Sequence, residues 1–216
     1  MRTILIFIFA LILTNKCFCQ GDLIDRHVSL IYCSSGNEKF QTEDYTGAVA
    51  DYSEAIKRDW YNAEAYINRG NARSKLQDYQ RALADYDKAI KLDPNISGAY
   101  YNRGCVKFSL SDISGAIADY SRAIELNAYY GEAYNNRGNL KLILGDLEGA
   151  IADFTKAIEI NPKKTDAYFN RGLSRIALKQ NYEGCLDLNK AAALGDTLVH
   201  VAIGKFCHET DSLLVK

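Results

Sequence analysis

Apolar residues in Ala63–Lys75 and Tyr79–Leu92 recur three and four positions apart with polar residues between them. Each stretch therefore carries one apolar stripe and predicts an α-helix. Asp78 stands directly ahead of the second stretch, where a short acceptor side chain suits a helix N-cap. Asp93-Pro94-Asn95 then ends that helix, because proline has no N–H for a continuing helix and turns the chain. No stretch alternates apolar and polar residues convincingly enough to predict a strand. Near the C-terminus, Leu198–Glu209 has helical spacing again, with Val201, Ile203 and Phe206 available to cover whatever precedes it.

The helix pair recurs. Gly36, Gly70, Gly104, Gly138 and Gly172 are 34 residues apart, and Tyr32, Tyr66, Tyr100, Tyr134 and Tyr168 keep the same register. So do Ala55, Ala89, Ala123, Ala157 and Ala191. Tyr52, Tyr86, Tyr120 and Phe154 follow, with Leu188 in the fifth copy, and Ala48, Ala82, Ala116 and Ala150 follow, with Gly184 in the fifth. The glycine is expected to let two helix backbones approach and the alanines to leave room for a neighbouring helix. The aromatic at the fourth position fills the wedge between them. One hairpin cannot bury its own apolar face, whereas copies stacked side by side form a continuous core with atypical ends.

The set Tyr66, Gly70, Ala82, Tyr86, Ala89 and Pro94 resembles the tetratricopeptide repeat. The resemblance divides the chain into 20–28 as a lead-in, then repeats at 29–62, 63–96, 97–130, 131–164 and an atypical 165–198, and a capping helix and tail at 199–216. It implies an all-α, right-handed α-solenoid of tandem helix-turn-helix hairpins, and a binding scaffold whose first helices line a concave groove. The second, fifth, sixth, ninth and twelfth positions of each copy would face that groove. The sixth gives Asn68, Asn102, Asn136 and Asn170, side chains that both donate and accept hydrogen bonds. The fifth gives Ile67, Tyr101, Asn135 and Phe169, and the ninth gives Asn71, Cys105, Asn139 and Leu173. A polar rail beside aromatic and apolar steps suits an extended peptide. The alternative is that the asparagines bond to neighbouring repeats. One version of the family's groove clamps a terminal carboxylate with lysine and arginine; Leu30, Glu64, Gly98, Glu132 and Asp166 at the second position do not fit it, and the groove mouth is expected to prefer a basic or neutral ligand.

Arg69, Arg103, Arg137 and Arg171 recur at the seventh position and Asp85, Asp119, Asp153 and Asp187 at the twenty-third. They are read as ion pairs between packed helices, bidentate where geometry allows, rather than as a basic binding row.

Ahead of the repeats, Arg2 precedes ten uninterrupted apolar residues, Ile4–Leu13, followed by Thr14, Asn15, Lys16 and the small residues Cys17 and Cys19. This is the layout of a signal peptide over residues 1–19. As a helix the apolar run reaches roughly 15 Å, about half a bilayer core, so no membrane span is expected after its removal. Lys16 stands where a lipoprotein signal would carry a small residue, which disfavours a lipid anchor on Cys17. Together with the Asn-Arg-Gly repeats, the layout is similar to that of exported bacterial repeat proteins and implies a periplasmic or secreted location. In an oxidising compartment Cys185 and Cys207, on consecutive predicted helices, are candidates for a disulfide. The alternative is that they, with Cys33 and Cys105, are small buried side chains.

Composition narrows the chemistry. Lys plus Arg number 26 against 27 Asp plus Glu, a formal charge of -1; removing Arg2 and Lys16 leaves 24 against 27, or -3. Neither value carries the electrostatic footprint of a nucleic-acid binder. The cysteine spacings match no zinc ligand pair, and His27, His200 and His208 share no helix face with carboxylates at metal-ligand spacing. No HExxH, GxSxG or phosphate-binding loop occurs. The sequence thus predicts an exported interaction scaffold with a protein or peptide partner, no catalytic residues, no metal and no cofactor. Two other classes are a self-association module working through edges and convex faces, and an enzyme subunit depending on Cys207 and His208.

Overall fold

The computed structural model describes residues 23–197 and 199–207, and every regular element among them is a helix. Residues 1–22, which include the stretch with the expected signal layout, Leu198, and the tail from His208 lie outside the described residues. The helices are α1 (residues 23–41), α2 (Tyr45–Arg58), α3 (Ala63–Lys75), α4 (Tyr79–Leu92), α5 (Ser97–Ser109) and α6 (Ile113–Leu126). Then come α7 (Gly131–Ile143), α8 (Leu147–Ile160), α9 (Thr165–Ala177), α10 (Asn181–Ala193) and α11 (Val199–Phe206). This is the all-α solenoid class of tandem hairpins that the 34-residue period predicts, and α3 and α4 have the bounds read from the apolar spacing. The first helix differs: it already includes residues 23–28 of the expected lead-in, ahead of Ser29.

Contacts group into two units, residues 1–106 and 107–216, which divide within α5. In the first unit α1 pairs with α2, α2 packs on α3, and α3 pairs with α4. In the second, α7/α8 and α9/α10 are hairpins, α6 packs on α7, α8 on α9, and α10 on α11. Between helices the core is made of small residues: Ala48, Ala55, Ala65, Ala82 and Ala89 in the first unit, and Ala116, Ala123, Ala133, Ala150 and Ala167 in the second, have no exposed surface.

Within a hairpin, the repeated glycine meets an aromatic ring rather than a helix backbone. A Cβ on Gly70 would lie 2.7 Å from the Tyr86 ring, one on Gly36 2.7 Å from Tyr52, and one on Gly138 2.9 Å from Phe154. Backbone approach takes over where that ring is missing. In α9/α10, with Leu188 replacing the aromatic, a Cβ on Gly172 would stand 2.9 Å from the Gly184 carbonyl oxygen.

Asp44, Asp112 and Asp146 cap α2, α6 and α8 by accepting from the N–H of Gly47, Gly115 and Gly149. Asp78 is the N-cap residue of α4 but makes no such bond. Arg81 occupies the position of those glycines, and its Nη1 takes the Asp78 carboxylate at 3.2 Å.

The C-terminal cap also differs from its expected face. Val199 and Cys207 are buried, and Ala202 and Ile203 pack with them on Cys185, Leu188 and Ala191. Val201 is 78% exposed and Phe206 stays at the surface. A helix face built on Val199 returns at Ala202 and Ile203, which turns Val201 away. Cys185 and Cys207 form a disulfide that ties this cap to α10, with Cα atoms 5.6 Å apart.

Gly70→Ala forces a methyl group into the Tyr86 ring. It is expected to cost about 1–3 kcal/mol, read as a lowered midpoint in urea denaturation.

Candidate functional site

The candidate site is the row of amides on the first helices. It begins in the core, at the ring against each glycine. Tyr52 and Tyr86 donate their hydroxyls to Oδ1 of Asn37 (2.7 Å) and Asn71 (2.8 Å), the ninth residues of the first two repeats. The same oxygens accept from the sixth residue of the next repeat: Asn68 Nδ2 at 3.3 Å and Asn102 Nδ2 at 2.9 Å. Oδ1 of Asn37 and Asn71 is thus filled twice, and their Nδ2 groups are left as donors. Asn68 and Asn102, which spend Nδ2 on the rung, keep Oδ1 as an acceptor. The asparagines therefore do bond between repeats, yet each rung retains one donor and one acceptor.

In the second unit Asn170 Nδ2 donates to Asn139 Oδ1 at 2.8 Å. Phe154 stands where Tyr52 and Tyr86 stand and has no hydroxyl, so this rung lacks the tyrosine bond. Asn136 is half-buried. Phe169 packs partly buried against the Cys185 and Leu188 cluster. Asn135, expected on the groove wall, is 3% exposed. Its Nδ2 donates to Asp166 Oδ2 at 3.1 Å, and its Oδ1 is buried without a partner. Asp166 at the second position of the next repeat engages this amide and also takes Lys164 at 3.5 Å, so Asn135 offers nothing to a ligand.

Two hollows sit on the row in the first unit. One, of about 190 Å³, is lined by Asn37, Phe40, Gln41, Tyr52, Asn68 and Asn71. Its neighbour, of about 210 Å³, is lined by Phe40, Asn71, Ser74, Lys75, Tyr86, Asn102 and Cys105. Tyr101 precedes Asn102 on α5 and is half-buried. Sequence reasoning missed Asn37, Phe40, Gln41, Ser74 and Lys75. The 34-residue register puts Asn37 at the ninth position and Phe40 and Ser74 at the twelfth, so that signal was present.

The arginines do different work. Arg69 grips Asp85 through Nε (3.1 Å) and Nη2 (2.7 Å), and Arg137 and Arg171 grip Asp153 and Asp187 the same way. A second cation completes each site: Arg73 on Asp85, Lys141 on Asp153 and Arg175 on Asp187. The remaining Nη1 of each arginine donates to a hydroxyl of the preceding repeat, Ser53, Ser121 and Thr155. The guanidinium also lies over the tyrosine three residues before it, 5.5 Å from the Tyr66 ring and 5.6 Å from Tyr134 and Tyr168. Arg103 reaches Asp87, which replaces the hydroxyl residue in the second repeat, at 2.6 Å. In the second unit Lys107 pairs with Asp119 at 2.8 Å. The bonds to Asp153 raise the Arg137 pKa against the pull of burial.

Among the described residues no group of three His, Cys, Asp or Glu could hold a metal ion, and no helix is long and apolar enough to cross a membrane.

Stacked helical hairpins, with a small-residue core and one polar face on their first helices, define the class of helical-repeat proteins. Models of the tetratricopeptide repeat tile residues 63–96, 97–130 and 131–164, and a TPR repeat model covers residues 36–77. The chain belongs to the tetratricopeptide repeat family. It is similar to the crystal structure of MamA protein, at 28% identity over 77% of this chain and 91% of that one, with a TM-score of 0.69. It is also similar to YrrB, described as a TPR protein with an unusual peptide-binding site, at 25% identity over 81% and 90% with a TM-score of 0.67. The first TPR of Spaghetti (RPAP3), bound to the HSP90 peptide SRMEEVD, matches at 28% identity over 56% and 95% with a TM-score of 0.55. No curated protein matches the chain significantly. Fold and family are those of protein-interaction scaffolds.

Arg137→Ala leaves Asp153 buried with Lys141 as its remaining cation and is expected to cost about 3 kcal/mol in chemical denaturation. A second expectation concerns alkaline pH. Burial, with smaller contributions from Cys33, Asp51 and Glu64, pushes the Tyr52 phenol from 10.0 up to about 12. The unfolded chain then releases this proton first, so stability is full below about pH 10 and falls as pH rises toward about 12. Tyr52→Phe, measured by urea titration across that range, should flatten this part of the decline.

Proposed function

We propose that the chain is an exported scaffold that holds an extended peptide segment of a partner protein along the first-helix amide row, without catalytic chemistry of its own. The observation carrying this reading is the polarity of the rungs. The two rungs of the first unit each pair an unfilled acceptor, on Asn68 or Asn102, with an unfilled donor, on Asn37 or Asn71. An extended backbone presents C=O and N–H groups that complement such a pair. Asn139 and Asn170 repeat the arrangement in the second unit. The peptide-binding site named for YrrB and the peptide bound to RPAP3 are consistent with this use of the fold. Export rests on the signal-like layout of residues 1–19, with the periplasm or the outside medium as destination.

A self-association reading has one observation in its favour: Leu23, Ile24, Leu30 and Ile31 make an exposed apolar stripe on α1. Sedimentation of the mature chain tests it, since a mass rising with concentration would favour it.

The peptide reading is tested by crosslinking and pull-down from the native envelope fraction, with wild type beside a variant in which Asn68, Asn102, Asn136 and Asn170 are all alanine. Each lost rung bond costs about 1 kcal/mol, so the variant is first checked for helical content and a cooperative melt. A partner captured by wild type and lost by the folded variant is the expected result. Equal capture by both would assign these asparagines to repeat stacking alone.

A further inference from the structure

The two hollows of the first unit differ in a way that the amide row does not explain. The smaller is walled by the amides of Asn37, Gln41, Asn68 and Asn71 and the rings of Phe40 and Tyr52, with no cation and no carboxylate. Its neighbour shares Phe40 and Asn71 and adds Lys75, Ser74, Asn102, Tyr86 and Cys105, again without a carboxylate. Other cations on the first helices of this unit are engaged, Lys39 with Asp51, Arg69 and Arg73 with Asp85, and Arg103 with Asp87, while Arg26 on α1 lines neither hollow. Lys75 has neither an ion pair nor a hydrogen bond among the described residues.

Resting on the peptide reading above, we propose that the second hollow is a subsite for an acidic side chain of the bound peptide, with Lys75 as its counter-ion. The hydrogen-bonding directions agree with the charge. Asn71 Oδ1 is taken by Tyr86 and Asn102, so Asn71 has Nδ2 to present. Ser74 contributes a hydroxyl, and Lys75 up to three N–H donors. A carboxylate, which only accepts, satisfies all three groups, whereas a lysine or arginine side chain could use only the Ser74 hydroxyl as an acceptor among them and meets a like charge. Asn102 Oδ1 stays available beside them for a peptide N–H. Phe40 and Asn71 line both hollows, so the two are neighbours that side chains of one peptide can enter. The first of these is neutral and the second acidic. This site differs from a terminal-carboxylate clamp, since its cation lies at the thirteenth position and the second position of its own repeat is Glu64.

The test uses fluorescein-labelled, C-terminally amidated octapeptide pools with Glu, Gln or Lys fixed at a central position and the others mixed, titrated with the mature chain and read by anisotropy. Wild type should bind the Glu pool about five- to tenfold tighter than the Gln pool, as a charge-assisted contact allows, with the Lys pool weakest. Lys75→Gln should remove the Glu preference with the melting curve unchanged, and Lys75→Arg should retain the preference. Equal binding of Glu and Gln pools by wild type, or a preference that survives Lys75→Gln, overturns the subsite and leaves the amide row standing. A preference absent from these amidated pools but present in matched pools with a free C-terminus, titrated alongside, also overturns it, because the carboxylate would then be the chain end. Failure of wild type to bind any pool removes the peptide reading itself, and the subsite with it.

Discussion

Stacking in this protein depends on what one guanidinium does in three directions. The seventh-position arginine closes its own hairpin by holding the buried aspartate of the second helix through two parallel bonds, as Arg137 holds Asp153. Its third nitrogen crosses to the preceding repeat, as from Arg137 to Ser121 and from Arg171 to Thr155. Its plane rests on the tyrosine three residues earlier. A lysine, with a single point of charge, could not make these contacts together. The first repeat has no described hairpin before it and no arginine here. Ser35 and Lys39 take Asp51 instead, at 2.6 and 2.7 Å, which holds the hairpin without reaching outward.

The amide row is an outgrowth of the core. A glycine admits a ring, the ring's hydroxyl fixes the ninth-position asparagine, and that asparagine receives the sixth-position amide of the next repeat. Orientation is therefore imposed from beneath: Asn37 and Asn71 are held by two donors each, so their remaining Nδ2 groups are set before any ligand arrives. Pre-set groups lose little freedom on binding, which favours affinity per contact. Asn139 has the bond from Asn170 but, over Phe154, no phenol, so its rung is held less firmly.

Period and apolar spacing made the hairpins legible, down to the bounds of α3 and α4. They also placed Arg69 opposite Asp85, because residues at fixed register in a repeat face each other in every copy. Less legible was anything depending on which partner a polar group chooses. Asn135 has the register of a groove residue, yet Asp166 from the next repeat draws it inward. Asp78 has the residue type of a cap, yet Arg81 takes its carboxylate. The hydroxyls at Ser53, Ser121 and Thr155 share one register, but serine and threonine are common enough on helices that the pattern had no evident meaning until the arginines were seen to reach them. Lys75 is illegible for the opposite reason, since its significance lies in having no partner.

The fifth repeat shows how the core rule is relaxed at an end. With Leu188 in place of the ring, no phenol is present to fill the space or anchor an amide, and Leu173 replaces the ninth-position asparagine. The hairpin closes instead by direct approach of Gly172 to Gly184, whose missing Cβ atoms allow the backbones together. What this leaves uncovered on α10 is taken up by Val199, Ala202 and Ile203 of α11 and secured by the Cys185–Cys207 disulfide. A covalent tie suits this position, because α11 spans 8 residues and too short a helix holds its place poorly on intrinsic propensity alone. On α1, by contrast, Leu30 and Ile31 stay exposed with no such covering helix among the described residues.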